Sequence, residues 1–273
     1  MQIKRLIQQK VKMMMTCKEG DLVKAINELS QSAAPGPDGF PAILLKQCKE
    51  ELSTPLCILR KKSMDKGIVP NELKQSTITP IHKGGSRSLA ENYRPVALTS
   101  HVIKIFEEVL RAHIVQHMNE NNLFNPSQHG FRSGRSCLSQ LLEQYDLILN
   151  ILDEDANADV VYLDFSKAFD KVDHAIVLQK IKRLGIDGKI LKWLKSFLTE
   201  RKQSVMVNGV KSEPQNVLSG VPQGSVLGPL IFLILIGDID KDILNSFVKY
   251  LLMTHVHQNK LKQWKMLPYC NLT

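Results

Sequence analysis

One acidic residue, Asp164, directly follows an apolar run in the sequence ADVVYLDF at residues 158–165. The run predicts a buried strand, and the end of a strand holds its side chain at a fixed place. A carboxylate held in this way is a natural ligand for a hard cation such as Mg²⁺. Alone, the pattern also suits an aspartate that caps a following helix. Asp164 is therefore a candidate catalytic and metal-binding residue whose interpretation depends on the surrounding motifs.

A second segment, GVPQGS at residues 220–225, combines two glycines with a glutamine. Glycine lets a backbone approach a ligand closely, and the amide of Gln223 can donate and accept hydrogen bonds. The segment therefore suits close contact with a bound molecule. A Pro-Gly turn that opens an apolar helix fits the same residues.

Four cations form the third group: Lys83, Arg94, and the pair Arg132 and Arg135 in QHGFRSGRS at residues 128–136. Cationic side chains stabilise charge that develops on a phosphoryl group and neutralise phosphates of nucleic acids. Without further context, Lys83 and Arg94 would each be interpreted as a solvated surface charge.

The elements that position these residues are predicted from hydrophobic periodicity and turn residues. We expect helices at residues 22–29, 42–62, 100–118, 137–152, 174–184, 188–198 and 224–236. We expect strands at residues 77–83 and 158–165, and a hairpin-like pair around residues 204–208 that runs on to residue 217. The sequence contains no internal repeat and no low-complexity linker.

The composition is that of an ordinary globular protein, with 273 residues of which 43% are hydrophobic and 23% charged. Its 36 basic residues outnumber the 27 acidic ones and give a net charge of +9, which suits a polyanionic partner such as nucleic acid. The five cysteines are scattered and never spaced as CxxC, so neither a disulfide frame nor a zinc site is indicated. A reducing compartment fits best.

The chain carries no pattern typical of secretion or membrane insertion. Its first 17 residues lack a long apolar run and a small-residue cleavage site. The longest apolar stretch, at residues 229–236, is too short to span a bilayer. We therefore expect an intracellular protein that is not secreted and has no membrane partner.

The order of the motifs carries more information than any one of them. RPVAL at 94–98, QHGFRSGRS at 128–136, the Asp164 segment and GVPQGSVLGP at 220–229 follow one another at separations that closely resemble one family. That family is the reverse transcriptases of non-long-terminal-repeat retrotransposons, specifically the jockey-like lineages. The resemblance extends from about residue 35 to residue 250. It implies an RNA template, a DNA primer and deoxynucleoside triphosphates as partners.

The resemblance also implies roles for individual residues. Asp164 would bind both catalytic Mg²⁺ ions. Phe169 would lie beneath the sugar of the incoming nucleotide, where a ring excludes a 2′-hydroxyl and favours deoxynucleotides. Lys83 and Arg94 would hold the triphosphate.

Two further roles are implied for the remaining motifs. Gln223 and Gly224 would pack under the nascent base pair, and Arg132 and Arg135 would contact the template. Phe169 is also a reasonable core phenylalanine, so its role depends on the motif as a whole.

The resemblance implies an α+β fold, that of a right-hand polymerase with helical fingers and an antiparallel palm sheet backed by helices. We expect a helical extension of the fingers at residues 1–70, fingers at 71–157 and an incomplete palm at 158–250. A thumb is expected to be absent, as is the endonuclease that precedes the polymerase in the family.

A two-ion polymerase needs carboxylates from two places, because both ions must be held on either side of the reacting phosphate. The resemblance implies that the second contribution is an Ala-Asp-Asp after a Phe or Tyr, and SFVKY at residues 246–250 matches the approach to it. LLMT follows instead at residues 251–254, and no carboxylate occurs after Asp242. The second aspartate pair is therefore missing.

A single-base frameshift accounts for the replacement. Leu-Leu-Met-Thr can be encoded TTG CTG ATG ACN, and one additional T before these codons gives TTT GCT GAT GAC, or Phe-Ala-Asp-Asp. We therefore expect residues 251–273 to be read out of frame and the polymerase to be inactive as encoded.

Other interpretations stay open. Asp238, Asp240 and Asp242 alternate, but they precede the SFVKY segment and are expected to be surface acids rather than metal ligands. The chain can also be a catalytically inactive remnant that binds RNA or DNA. An RNA-binding maturase of group II introns is a further alternative, although no maturase segment follows residue 250.

Overall fold

The computed structural model describes residues 18–241 except 131, 133, 161–164 and 166. The described residues belong to two compact units, one of residues 18–124 and 165–241 and one of residues 125–160. The tail at residues 251–273, for which a frameshift is predicted, lies outside the described residues.

The first unit contains seven α-helices and five strands among its described residues. The helices are α1 Glu19–Glu28, α2 Ala42–Gln47, α3 Lys49–Lys66, α4 His101–Glu120, α6 His174–Arg183, α7 Gly188–Leu198 and α8 Leu227–Ile236, while α5 belongs to the second unit. The strands are β1 Gln75–His82, β2 Tyr93–Thr99, β3 Arg201–Val207, β4 Val210–Lys211 and β5 Gln215–Val217. The chain is therefore a mixed helix-and-sheet protein.

The five strands form one sheet in the order β2-β1-β3-β4, and β5 also pairs with β3. β1 pairs antiparallel with β2 and parallel with β3, so that Ile78 lies between Ala97 and Val205. A parallel pair requires a long crossover connection, and here the chain between β1 and β3 supplies it. Strands from both sides of the predicted boundary at residue 157 therefore belong to one sheet. The division into fingers and palm stays a prediction.

The sheet differs from the antiparallel palm sheet that the resemblance implies. It is mixed, because β1 and β3 run in the same direction. The strand predicted at residues 158–165 has no regular secondary structure at residues 158–160 or at Phe165, and residues 161–164 lie outside the described residues. The palm sheet therefore stays a prediction.

The hydrophobic core of the first unit gathers around α4 and α8. Four apolar side chains of α4 at helical spacing, Ile103, Phe106, Leu110 and Ile114, are buried. α8, LGPLIFLILI, is apolar all round and almost wholly buried, as expected for a helix that crosses a core. These two helices form the support for the loop that precedes α8.

The helix predicted at residues 42–62 is corrected in its bounds. It is divided at Cys48 into α2 and α3, because the Cys48 backbone has φ −103° and ψ 27°, outside the helical region. Cys48 N still donates to Leu44 O at 3.0 Å, so the hydrogen-bonding pattern continues through a bend. α3 then extends beyond the prediction to Lys66 and ends at Gly67, whose φ of +66° suits a glycine.

The described part of the second unit contains a loop at residues 125–136, without residues 131 and 133, then the helix α5 Cys137–Asp153 and the segment 154–160. Ser136 caps α5, and its hydroxyl accepts from Ser139 N at 3.1 Å. The predicted helix at residues 137–152 is thus confirmed. Within the described chain, no helix is both long and apolar enough to cross a membrane.

Candidate functional site

Residues 218–226, here called the glycine loop, connect β5 to α8 and lie against the segment that follows the predicted aspartate motif. Two backbone hydrogen bonds join them. Gly220 N donates to Val172 O at 2.9 Å, and Val221 N donates to Phe169 O at 2.9 Å. Two motifs that are about fifty residues apart in sequence therefore meet.

Side chains strengthen the same contact. The hydroxyl of Ser219 donates to Asp170 O at 3.0 Å. His174 Nε2 lies 2.7 Å from Gly220 O and can only donate to a carbonyl oxygen, which places the proton on Nε2. Both the N–H and the carbonyl oxygen of Gly220 are therefore hydrogen-bonded to residues 172–174.

Gly220 and Gly224 are required by close backbone approach. Gly220 has φ +84°, and a Cβ there would lie 2.7 Å from Asp170 O. Gly224 has φ +129°, and a Cβ there would lie 2.6 Å from Ala97 O. Ala97 N in turn donates to Gln223 O at 2.8 Å, which ties the loop to β2. Only glycine fits both positions without a shift of the backbone.

The side chain of Gln223 points to Asp170. Its amide Nε2 donates to Asp170 Oδ1 at 2.8 Å. Phe169 is half-buried, and its ring packs on Phe232 of α8 with ring centroids 5.0 Å apart. The structure therefore brings together three of the predicted site residues, Phe169, Gln223 and Gly224. Asp170, the residue that links them, was not predicted as a site residue.

A cavity of about 500 Å³ lies between one face of the sheet and the glycine loop. Its floor includes Ile78, Ala97 and Val205, which are neighbours across three strands. Gln223 and Asp170 belong to its wall. The cavity therefore combines an apolar floor with hydrogen-bonding groups.

Glu107 of α4 supports the glycine loop from below. Its Oε2 accepts from Val226 N at 2.8 Å and from Leu227 N at 2.9 Å, so it caps the start of α8. The side chain is wholly buried, and burial raises the pKa of its carboxyl to about 7. The two backbone N–H groups and the positive charges of Arg201 and Lys104 oppose that rise.

Arg201, the first residue of β3, is buried, and its positive charge lowers the pKa of Glu107 more than the charge of Lys104 does. Its Nη1 donates to Phe197 O at 3.1 Å, and its guanidinium lies over the Phe197 ring, 5.0 Å from the centroid. Burial lowers the pKa of this guanidinium, and the charge of Glu107 opposes the change. Sequence reasoning did not find this pair. The one available signal was a glutamate on the apolar face of the helix in KIFEEVL.

Lys83 and Arg94 lie together at the other end of the β1–β2 hairpin. Lys83 N donates to Asn92 O at 2.9 Å, and Arg94 pairs with Ile81. Arg94 is three residues from Ala97 along β2, so strand alternation turns their side chains to opposite faces of the sheet. The structure does not bring this pair to the cavity, and its triphosphate role stays a prediction.

Arg132 and Arg135, in the second unit, bond to carbonyl groups of their own loop. Arg132 Nη1 donates to Asn125 O at 3.3 Å and to Gln128 O at 3.4 Å. Arg135 Nη1 donates to Pro126 O at 2.6 Å. Burial, and then the charge of Arg135, lowers the pKa of the Arg132 guanidinium. Part of their donor capacity is therefore used to hold the loop, and contact with a template stays a prediction.

Asp164, the predicted catalytic and metal-binding residue, lies outside the described residues. Among the residues that the structure describes, no group of three or more His, Cys, Asp or Glu side chains could hold a metal ion. Asp238 forms an ion pair with Lys180, as a surface acid would. Asp242 lies outside the described residues.

Comparison with known proteins identifies the family. Residues 81–263 match the family described as reverse transcriptase (RNA-dependent DNA polymerase). The chain is 31% identical over 220 residues to the probable RNA-directed DNA polymerase from transposon BS of Drosophila melanogaster, covering 80% of this chain and 24% of that protein. It is 30% identical over 214 residues to the RNA-directed DNA polymerase from mobile element jockey of the same species, covering 78% of this chain and 23% of that protein.

The chain spans about a quarter of the length of these curated relatives. Among solved structures, a partial Cas6-RT-Cas1--Cas2 complex matches with 18% identity and a TM-score of 0.43, over 88% of this chain and 34% of that chain.

Proposed function

Because the chain belongs to the reverse transcriptase (RNA-dependent DNA polymerase) family, we propose that it is the polymerase portion of a jockey-like non-long-terminal-repeat retrotransposon and that it is inactive as encoded. The observation that carries the first part is the docking of the glycine loop onto residues 169–174, which joins two motifs of the family in one place. The relatives named as polymerases of transposons BS and jockey support the same assignment.

In this proposal the glycine loop and Phe169 form the nucleotide side of the active site. Phe169 is supported from behind by Phe232, so its ring can exclude a 2′-hydroxyl without being displaced. Gln223 is oriented by Asp170, which accepts from its amide and so fixes which group faces a ligand. Gly224 lets the loop pack directly against the backbone of Ala97 in β2, and so holds the loop where it would pack under the nascent base pair. Lys83 and Arg94 would hold phosphates, and Arg132 and Arg135 would contact the template.

The family generally uses divalent metal ions, and Mg²⁺ at Asp164 is part of the proposal. The described residues do not by themselves fit such a pair of ions. The carboxylate of Asp170, beside the glycine loop, already accepts from Gln223 at 2.8 Å. The metal ligands would have to come from Asp164 and from a second pair of carboxylates.

The proposed inactivity rests on the sequence that follows Tyr250. LLMT occupies residues 251–254, where the family has the second aspartates, and the described residues supply no replacement cluster. One aspartate cannot hold two ions on either side of a reacting phosphate. We therefore propose that the chain retains nucleotide and template surfaces but lacks the second half of the metal site.

Primer extension on an RNA template with Mg²⁺ tests the proposal. We expect no template-dependent incorporation by the chain as encoded. Insertion of one T before codon 251, which restores Phe-Ala-Asp-Asp and the following frame, should produce extension. Asp164→Asn in the restored chain should abolish that extension while the protein stays folded.

Each result bears on a different part of the proposal. Extension by the chain as encoded would overturn inactivity. A folded restored chain that gives no extension would show that residues 251–254 are not the cause. Codons incompatible with Phe-Ala-Asp-Asp in the neighbouring frame would end the frameshift hypothesis.

A second function, nucleic-acid binding without chemistry, is favoured by the net charge of +9. It predicts salt-dependent binding of RNA or DNA by the chain as encoded. Binding without extension by either form of the chain would select it.

A further inference from the structure

Six lysines form a basic patch on two helices that contact each other. The patch comprises exposed lysines at the C-terminal half of α3 and along α7: Lys61, Lys62, Lys66, Lys189, Lys192 and Lys195. These residues carry no role in the proposed polymerase chemistry.

Specific contacts hold α3 and α7 side by side. The indole Nε1 of Trp193 donates to Ser63 Oγ at 2.8 Å. Val69 N donates to Ser196 Oγ at 3.0 Å. A Cβ at Gly67 would lie 2.7 Å from Cβ of Lys192, so the helices approach closely at this point. The lysines of the two helices therefore form one surface.

The patch has very little compensating negative charge. Within α7 and residues 58–68, Asp65 is the one acidic residue. Two more acids flank α7: Asp187 caps its start, and Glu200, which follows it, is paired with Lys74. Asp65 Oδ1 accepts from Lys189 Nζ at 2.7 Å, so one lysine is paired within the patch. Lys189 and then Lys61 act on the same carboxyl and lower its pKa. Six positive charges against Asp65 and Asp187, with Glu200 neutralised by Lys74, leave a net positive field over a small area.

The patch is separate from the cavity under the glycine loop. Phe197 lies on the buried side of α7 and contacts Arg201, which lines that cavity. Lys189, Lys192 and Lys195 occupy the exposed side of the same helix. A ligand of the patch would therefore lie across α7 from a nucleotide in the cavity.

We propose that the basic patch is a second nucleic-acid contact, which binds the phosphate backbone of single-stranded RNA outside the cavity between the sheet and the glycine loop. The patch is built of lysines, which are mobile point charges without the planar fork that reads base edges. It therefore suits backbone contact that is independent of base sequence. The choice of RNA as the partner rests on the proposed function, in which the template is RNA.

Salt-dependent RNA binding by the whole chain tests the proposal. The probe is an unstructured 20-nucleotide RNA with a fluorescent label, and its dissociation constant is measured by anisotropy at several salt concentrations. The patch variant combines Lys62→Gln, Lys66→Gln, Lys192→Gln and Lys195→Gln, and leaves the Lys189–Asp65 pair intact. The control combines Lys24→Gln, Lys202→Gln, Lys211→Gln and Lys241→Gln, four exposed lysines elsewhere in the first unit.

Both variants lose four charges, so a general effect of net charge is the same in each. If the four patch lysines contact phosphates, the slope of log K against log salt falls by about 3 for single-stranded RNA. The control variant should lose less than about 1 from the slope. Equal losses in the two variants would overturn the proposal. Circular dichroism and melting curves confirm that both variants are folded.

A competitor of another chemical class tests the choice of partner. Polyglutamate with as many charges as the RNA should displace the RNA weakly, and equally from the parent chain and the patch variant. Displacement from the patch as effective as that by unlabelled RNA would indicate an acidic protein partner and overturn the assignment to RNA. Primer extension by the restored chain tests the proposed polymerase function, whereas RNA binding by the patch variant tests the basic patch. Either proposal can therefore fail while the other holds.

Discussion

Two segments of this protein were predicted to contact nucleic acid, and they are held in opposite ways. The glycine loop is fixed by residues far away in sequence, since Gln223 bonds to Asp170 across 53 residues. In residues 125–136 the described arginine hydrogen bonds are local, since Arg135 bonds to Pro126 across 9 residues. The glycine loop is thus held by contacts across its unit, whereas the described bonds of Arg132 and Arg135 stay within their own segment.

The two segments should respond differently to substitution. A substitution in the glycine loop should disturb the packing of β2, of residues 169–174 and of α4, because all three are hydrogen-bonded to the loop. A change in residues 125–136, here called the arginine loop, breaks hydrogen bonds that span few residues, and such contacts close small loops at little entropic cost. We therefore expect the first to alter global stability and the second to alter local opening.

The largest effect is expected at Gly224. Gly224→Ala places a Cβ 2.6 Å from Ala97 O in a backbone with φ +129°, so both strain and a backbone clash result. We expect a loss of about 3–4 kcal/mol in the free energy of unfolding, measured by urea denaturation.

Gly84→Ala is the matched control. Gly84 has φ +125°, but no atom lies within 4 Å of a Cβ built there. It carries the same strain without the clash and should cost about 1–2 kcal/mol. Similar losses at the two glycines would mean that the contact with β2 does not hold the loop.

Glu107 tests the support beneath the loop through pH. Its folded pKa of about 7 lies above the ordinary value of 4.5, so the carboxyl stabilises the fold while it is protonated. Its contribution is complete below pH 4.5 and is lost as the pH rises to 7, which amounts to about 3 kcal/mol. Glu107→Gln keeps an acceptor for the two N–H groups and cannot ionise.

Unfolding curves of both proteins at pH 5 and pH 8 measure this effect. We expect Glu107→Gln to resemble the parent chain at pH 5 and to be the more stable of the two at pH 8. An unchanged difference between the two proteins at the two pH values would show that Glu107 does not titrate in this range.

A smaller effect is expected at Asp170. Asp170→Ala removes the acceptor of Gln223 and should cost about 1–2 kcal/mol. Asp170→Asn keeps an oxygen at the same place and should recover most of that loss. In the restored chain, Asp170→Ala should also raise the KM for deoxynucleotides more than it lowers kcat. A loss of stability with unchanged KM would assign Asp170 to the fold alone.

The smallest effect is expected in the arginine loop. Arg135→Ala removes the contact with Pro126, and we expect less than about 0.5 kcal/mol of global stability to be lost. Hydrogen exchange of residues 125–136 should increase, while exchange of the glycine loop should not change. A global loss as large as that of Asp170→Ala would remove the distinction between the two segments.

Hydrophobic periodicity predicted α4, α6 and α7 well, because each of them buries apolar side chains at helical spacing. The helices predicted at 100–118, 174–184 and 188–198 agree with α4, α6 and α7 to within two residues at each end. The bend at Cys48 was not predicted, because the apolar pattern continues through it. The structure brings Phe169, Gln223 and Gly224 together, which no local pattern could predict, and their nucleotide-binding roles stay predictions.

Long-range pairing could not be predicted from the sequence. The parallel pairing of β1 with β3 depends on how the helices between them pack, and alternation within a strand carries no information on its neighbour. Asp170 and Glu107 were missed for a similar reason. Each makes its important contact with a residue more than fifty positions away. Their roles therefore follow from the tertiary structure and not from local sequence.

The central position of β1 has a consequence for synthesis on the ribosome. Ile78 meets Val205 about 130 residues later, so the β1–β2 hairpin leaves the exit tunnel with one side uncovered. At typical translation rates that side waits roughly 6–26 s for β3 to emerge. Newly made chains therefore pass through an interval in which a chaperone, or another nascent chain, can occupy the place of β3.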